Sequence, residues 1–405
     1  MSSPTKPRLG FGKLWALTGP ALVAGVAYLD PGNVATNISA GTHYGYALLW
    51  VLLLANGIAW LVQYLAAKLG LATNKSLSRL MGERLTNPVT RTLYWLQAQL
   101  VAVATDLAEI IGGAIALNLM FGTPLILGCL VTAVISTGLL YYQAAGKAKV
   151  FEVVILGLIA LTAVGFLTSM FLAPTFAPSS NVTIDYAGEG MVLLALGVLG
   201  ATIMPHAIYV HSALSSDRLG VFGKKSLLRV IRIDVSIAML IAGAVNVALL
   251  VLGAKLGSAS TDGDAIGAAF TTLAQAGEGI AICFALALFA SSLASTSVGT
   301  YAGDVIMDGL LLKRSLPIYL RRLITLVPAL LILSGPIHPT NVLVLSQIFL
   351  SFGIPFALFP LIKLTSDAKL MKKFVNSKVT TWAGYAIVSA LSALNLFSIY
   401  SVFSA

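Results

Sequence analysis

Charge is what this chain has least of. Only 10% of its 405 residues are Asp, Glu, Lys or Arg, 58% are hydrophobic, and the mean hydropathy is +0.92. A soluble domain of this length needs far more charge to coat its surface, so a polytopic membrane protein is the class that remains. Cysteine is almost missing as well. Cys129 and Cys283 both lie inside apolar runs, which leaves neither a disulfide framework nor a cysteine-based metal cluster. None of the four histidines falls in an HExxH pattern, which disfavours a membrane zinc protease. A cleavable leader is not expected, because the first apolar run is too long for one and carries Asp30. The formal net charge of +10 does not point to nucleic acid, since the basic residues fall in short loops between apolar runs.

What the chain has instead is apolar runs. Eleven are long enough to span a bilayer, which takes about 17–25 residues. They cover 15–40, 44–70, 90–120, 124–142, 150–172, 191–214, 230–256, 280–312, 318–333, 341–365 and 382–403. The longest connections are 173–190, 257–279 and 366–381.

Basic residues alternate between connections. Lys6, Arg8 and Lys13 precede the first run; Lys75, Arg79, Arg84 and Arg91 follow the second; Lys147 and Lys149 follow the fourth. Arg218, Lys224, Lys225, Arg229 and Arg232 follow the sixth; Lys313, Arg314, Arg321 and Arg322 follow the eighth; Lys369, Lys372, Lys373 and Lys378 follow the tenth. The other loops carry Asp185, Glu189, Asp262, Asp264 and Glu278. Positive charge stays inside, so the N-terminus is expected in the cytoplasm and the C-terminus outside.

Two runs are interrupted. Asp30-Pro31-Gly32-Asn33 sits in the middle of the first, and Ala201-Thr202-Ile203-Met204-Pro205-His206 in the middle of the sixth. A break at that depth survives only where it lines a cavity or a site buried in protein. Matched breaks in two halves point to a transporter's binding site. The spacing predicts an all-α membrane protein with a five-plus-five inverted repeat. The first repeat covers about 15–172, the second about 191–365, and an extra helix about 382–403. The whole is one transmembrane domain.

The broken segments carry an unusual donor set. Asp30 offers carboxylate oxygen, Asn33 an amide oxygen and Met204 a thioether sulfur. Pro205 has no N–H, so the Ala201 carbonyl loses its helical partner. Oxygen with one sulfur suits Mn²⁺, Fe²⁺ and their first-row neighbours better than Ca²⁺ or Mg²⁺. Packing is the commoner fate of a membrane Met, and a helix cap is the ordinary role of an Asn at Asn33. For Asp30 the functional reading is the default.

Asp106 and Glu109 stand one turn apart in the third run, and Arg322 lies near the start of the ninth. Together they suit a proton relay or a gating ion pair; a structural salt bridge is the bland alternative. His206 and His211 are five apart, about 140° off a shared helical face, and do not suit one ion. His206 could carry protons, while His211 reads equally well as a packing residue. Gln63, Asn56, Asn246 and Gln347 suit helix-to-helix hydrogen bonds, with Gln347 placed just before the Gly353/Pro355 distortion. The sequon at 37–39 falls inside a run and the one at 181–183 in an outward loop.

Taken together these residues resemble the Nramp family of proton-coupled divalent metal transporters, above all its bacterial manganese transporters. The likeness runs over essentially the whole chain. It rests on Asp30-Pro31-Gly32-Asn33, on Gly200 through His206 with Tyr209 and His211-Ser212, and on Asp106-Leu107-Ala108-Glu109. It rests further on the Gly303–Gly309 stretch with Met307-Asp308, and on Leu345-Ser346-Gln347 through Pro355-Phe356-Ala357. The resemblance implies a LeuT-type fold. It implies that Asp30, Asn33, the Ala201 carbonyl and Met204 bind metal, with Gln347 joining in an occluded state. It also implies that Asp30, His206, Asp106, Glu109 and Arg322 move protons. Departures from the family pattern are Ala207, Gln99, Ala294 and Asp304. They bear on proton coupling and leave the metal site intact.

The expectation is a secondary transporter importing Mn²⁺, and Fe²⁺ with it, together with protons by alternating access. Its partners would be divalent transition metal ions, protons and the bilayer of a bacterial plasma membrane, with no nucleic acid, no cofactor and a monomer as the working unit. The rivals are a sodium-coupled amino-acid symporter of the same architecture and a metal uniporter with weak proton coupling. An enzyme is disfavoured, because nothing assembles a nucleophile with a base. A channel is weaker still, because there is no carbonyl filter.

Overall fold

The computed structural model describes residues 19–144, 148–174, 189–219, 227–257, 264–312 and 316–404. The basic residues Lys6, Arg8, Lys13, Lys147, Lys224, Lys225, Lys313 and Arg314 lie outside these, as do Asp185, Asp262 and the sequon at 181–183. Among the described residues every regular element is helical.

The first apolar run is two half-helices. α1 (Pro20–Gly25) tightens into a 3₁₀ turn over Val26–Leu29, Asp30 is extended (φ −69, ψ 164), and α2 (Pro31–Tyr44) resumes. Then come α3 (Leu49–Thr73), a short α4 (Leu77–Arg84), α5 (Pro88–Phe121), α6 (Leu125–Ala144) and α7 (Ala148–Leu172). The sixth run is again two pieces, α8 (Glu189–Thr202) and α9 (Pro205–Leu219). The chain continues through α10 (Leu227–Leu256), α11 (Ala265–Ala276), α12 (Glu278–Leu311), α13 (Ile318–Leu333), α14 (Pro339–Thr365), α15 (Ala368–Met371) and α16 (Lys378–Ser404).

Among the described residues each apolar run falls largely on helix, and eight helical stretches are long and apolar enough to cross a membrane. α13, at 16 residues, is about 24 Å long, short of the ~30 Å hydrocarbon core. Large apolar side chains cover the outside: Trp50, Val134, Leu240 and Trp382 are each more than 60% exposed. That is a surface for lipid, not water.

Two connections hold structure that the apolar pattern does not announce. The connection at 257–279 contains α11, whose start is fixed by Asp264 accepting from the Gly267 N–H at 2.9 Å. It buries Ile266, Ala269 and Leu273, an amphipathic face too short to read as a span. α4 is likewise capped, by Ser76 accepting from the Arg79 N–H. Arg84 at its end pairs with Asp367 at 2.9 Å, tying α4 to the connection after α14.

Packing pairs the halves crosswise. α2 lies along α10, and α9 lies along α3. Both seams are backbone to backbone. A Cβ on Gly253 of α10 would sit 2.2 Å from the Ile38 carbonyl of α2, and one on Gly70 of α3 would sit 2.3 Å from the Ser212 carbonyl of α9. Small residues give this close approach where no hydrophobic effect drives helices together. α12 runs against α5 and α7, and α14 against α8.

α14 carries two interior prolines, Pro355 and Pro360, which strip the carbonyls of Ser351 and Phe356 of their helical donors. Both carbonyls are satisfied from neighbours. Asn395 of α16 donates to Ser351 O at 2.9 Å, and Tyr94 of α5 donates to Phe356 O at 2.6 Å. Gly253→Val is expected to force α2 and α10 apart and destabilise the protein by about 1–3 kcal/mol. A lowered apparent melting temperature in detergent, with Gly57→Val unaffected because that position opens onto free space, is the measurement.

Candidate functional site

The centre is built from the two breaks. Asp30 caps α2: its Oδ1 accepts from the Asn33 backbone N–H at 2.6 Å and from Asn33 Nδ2 at 2.9 Å. Pro31 opens the helix and leaves the Ala27 carbonyl without an N–H donor; Asn33 Nδ2 reaches it at 3.4 Å. Asn33 does act as part of a cap. That role uses its amide nitrogen, which leaves its oxygen available.

The second break is the pair Ile203 and Met204 between α8 and α9. The Met204 side chain is fully buried, as is Ala201. Pro205 starts α9 and donates no hydrogen bond to the Ala201 carbonyl four residues back.

Gln347 of α14 crosses both breaks. Its side chain lies so close over Gly32 that a Cβ there would sit 1.7 Å from Nε2, and its backbone carbonyl would sit 2.0 Å from a Cβ on Gly200. Only glycine fits at either place. Gln347 also approaches the Asp30 carboxylate. Three oxygens here are buried without a hydrogen-bond partner: Asp30 Oδ2, Asn33 Oδ1 and Gln347 Oε1. Each such orphan costs about 1–3 kcal/mol, and all three are acceptors. A cation satisfies all of them at once; a neutral polar ligand needs a separate donor for each. No group of three or more His, Cys, Asp or Glu that could hold a metal occurs among the described residues. The unpartnered oxygens at this position are those of the Asp30 carboxylate and the Asn33 and Gln347 amides.

A second polar cluster lies between α5, α12 and α13. Arg322 Nη1 donates to both Asp106 oxygens, at 2.9 and 3.2 Å, and the pair is 6% and 3% exposed. Thr296 and Thr300 donate to Asp106 Oδ1, the latter at 3.2 Å, and Arg322 Nε donates to Thr137 at 3.1 Å. Glu109 is buried without a hydrogen-bond partner for either carboxylate oxygen, packed against Gly299 of α12, and within electrostatic reach of both Asp30 and Asp106. It stands between the break and the ion pair. His206 is buried one residue beyond Pro205; its Nδ1 faces Thr105 Oγ1 at 3.3 Å and its Nε2 has no hydrogen-bond partner. His211 turns elsewhere, to Gln63 Oε1 at 2.6 Å, and Gln63 in turn donates to the Tyr28 hydroxyl. The two histidines thus serve different helix contacts, as their angular separation requires.

Beyond the ion pair a cavity of about 250 Å³ is lined by Gln99, Asp106, Thr300, Gly303 and Arg321. Asp304 pairs with Arg321 at 3.2 Å at this edge. Asn246 donates to the Tyr28 carbonyl at 3.0 Å and accepts from Asn37 at 3.2 Å, so it is a helix-to-helix link.

The sequence reading missed the hydroxyls of α12. Ser292, Thr296 and Thr300 recur every fourth residue and form a polar stripe facing Glu109 and Asp106. That spacing was the available signal. It also missed Asp234 of α10, which accepts from the Gly19 and Ala21 N–H groups at 3.1 and 3.0 Å and so caps α1. Only tertiary packing reveals that partner.

Comparison with known proteins places this geometry. The family model described as Nramp, natural resistance-associated macrophage protein-like, matches residues 21–401. The chain belongs to the Nramp family. Among curated relatives, this Nramp chain is 49% identical over 393 residues to the divalent metal cation transporter MntH of Mycobacterium tuberculosis H37Rv, covering 95% of this chain and 91% of that one. It is 44% identical over 406 residues to MntH of Bacillus subtilis, covering 97% and 94%. The solved structure of the Eremococcus coleocola manganese transporter superposes with TM-score 0.83 at 31% identity, over 99% of this chain and 89% of that one. MhsT, solved with L-phenylalanine, matches in fold alone, at TM-score 0.62 and 15% identity over 95% of this chain and 98% of that one. The architecture is the LeuT-type fold. This Nramp protein is a multi-pass bacterial plasma-membrane transporter and not an enzyme.

Removing one member of the buried pair strands the other's charge. Asp106→Ala or Arg322→Ala is expected to cost about 3–5 kcal/mol. The double variant Asp106→Leu/Arg322→Met should cost far less than the sum. A double-mutant cycle on unfolding in detergent reads the coupling.

Proposed function

We propose that this Nramp protein imports divalent transition metal ions, Mn²⁺ and with it Fe²⁺, together with protons by alternating access. The observation that carries the reading is the cluster of three donor-less oxygens, Asp30 Oδ2, Asn33 Oδ1 and Gln347 Oε1, at the junction of two helix breaks. Asp30, Asn33, the Ala201 carbonyl and Met204 would hold the metal, and Gln347 would complete its shell when α14 closes over both breaks. The names of the relatives and of the Eremococcus coleocola structure support the ion class. The soft Met204 sulfur favours transition metals over Ca²⁺ and Mg²⁺.

Metal ligands must be deprotonated, so binding at Asp30 would expel a proton. Glu109 is the nearest carboxylate without a hydrogen-bond partner and would receive it. Asp106, held by Arg322, would be the next station, with His206 beside Thr105 on the same side. Asp106 is held by Arg322, Thr296 and Thr300, so transfer through it would need these contacts to loosen.

In this reading the chain crosses the membrane eleven times with its N-terminus inside and its C-terminus outside. The repeats, about 15–172 and 191–365, are inverted, and the segment 382–403 is appended. The crosswise seams α2–α10 and α9–α3 are what such an inversion produces, since each pairs the second half of a broken helix with the equivalent helix of the other repeat. The protein would work as a monomer.

The test is Mn²⁺ uptake into proteoliposomes with internal pH followed at the same time. Saturable entry that acidifies the lumen is the expected result. Asp30→Ala should abolish uptake; surviving transport would sink the site. Met204→Ala should let Ca²⁺ and Mg²⁺ compete at least about tenfold better, because it removes the one ligand they do not want. Uptake without acidification would reduce the protein to a uniporter.

A further inference from the structure

Two cavities meet at Arg84, away from the transport site. The first is an apolar groove of about 600 Å³ between α5, α14 and α16, closed at one end by α4. Tyr94, Phe356, Phe359, Pro360 and Val388 line it. Phe356 and Phe359 are about half exposed, so the groove opens sideways, toward lipid. The second cavity, about 380 Å³, is polar and lies on the other side of Arg84, among Lys75, Glu83 and Lys372. An apolar slot that ends at a basic basin has the shape and polarity of a lipid, tail and head in one molecule.

The charges at the junction do not balance. Glu83 is taken by Lys75 at 2.7 Å and by Arg79 at 3.2 Å, and Asp367 by Arg84 at 2.9 Å. Lys363, in the groove one turn before Asp367, and Lys372, in the basin, have no carboxylate partner among the described residues. Lys372 adopts a left-handed backbone (φ +49), which a side chain rarely accepts without a reason.

We propose that groove and basin together bind one anionic phospholipid, an acyl chain along Tyr94 and Phe359 and the phosphate at Arg84, Lys363 and Lys372. The assignment to the cytoplasmic leaflet rests on the orientation given above. Nothing in the transport reading requires the lipid, but the site touches the machinery. Tyr94 donates to the freed Phe356 carbonyl at 2.6 Å and meets the Tyr209 hydroxyl of α9 at 3.0 Å. A chain lying on Tyr94 therefore leans on the clamp between the bend of α14 and the second broken helix. Through α14 it reaches Gln347.

The experiment uses the full chain in detergent with added phosphatidylglycerol or phosphatidylcholine, read by native mass spectrometry. One phosphatidylglycerol per protein should be retained, and phosphatidylcholine should not. Arg84→Gln/Lys372→Gln should weaken retention at least about tenfold, because it removes two of the three basic groups around the phosphate. Asp367→Asn breaks the same ion pair yet leaves Arg84 charged, so it should retain lipid as well as the parent or better. Ser392→Trp fills the groove without touching a charge. It should weaken retention while the melting temperature holds. Equal retention of both lipids, or retention unchanged in the Arg84/Lys372 and Ser392 variants, overturns the proposal. So does displacement by glycerol phosphate alone, which would mean a headgroup site without a tail. Retention is measured without metal, so normal Mn²⁺ uptake beside failed retention removes this site alone, and the reverse removes the transport reading alone.

Discussion

An unmade backbone hydrogen bond inside a membrane has few remedies, and the arrangement of this protein follows from how each one is met. Besides Pro328 in α13, four prolines interrupt helices at depth: Pro31, Pro205, Pro355 and Pro360. Each frees a carbonyl four residues back. Three of those carbonyls find protein donors, Ala27 from Asn33, Ser351 from Asn395 and Phe356 from Tyr94. The fourth, Ala201, sits at the break that also holds the buried Met204, beside the helix that carries Gln347. The donors from Asn395 and Tyr94 thus hold the two bends of α14 in place.

The same accounting separates the two acidic clusters. Asp106 is saturated: Arg322, Thr296 and Thr300 all donate to it. Asp30 is half satisfied, with one oxygen fully used in capping α2 and the other without a hydrogen-bond donor. Glu109 has no hydrogen-bond donor at either oxygen. The three carboxylates thus differ in the donors around them, and for Asp106 and Glu109 those surroundings are set by α12 and α13.

Much of this was legible in the residues. Whereas Asn33 and Met204 stand out only by their places beside the breaks, Asp30 and Pro205 stand out because an acid and a proline have no ordinary business in the middle of an apolar run. Asp106 and Glu109 do so for the same reason. What could not be read is anything that depends on which helices touch. The hydroxyls of α12 look like ordinary small residues of a membrane helix until α5 is laid beside them. Asp234 sits near a run's basic end and looks like a loop acid, yet it caps α1 from 213 residues away in sequence. Gln347 stood out only by its place before Pro355; that it spans both breaks depends on Gly32 and Gly200 having no side chains, a fact of contact rather than of spacing.

The crosswise seams carry a consequence for how the chain is made. α2 is closed onto α10 at Gly41 and Gly253, with Asn37 bonded to Asn246. A ribosome delivers α2 about two hundred residues before α10 exists. During that interval the Asn37 amide and the bare backbone at Gly41 have only lipid, water or an insertion chaperone for company. The first half therefore cannot be a finished folding unit that waits for its twin. Assembly must stay open, with α2 undocked, until the seventh run has entered the membrane.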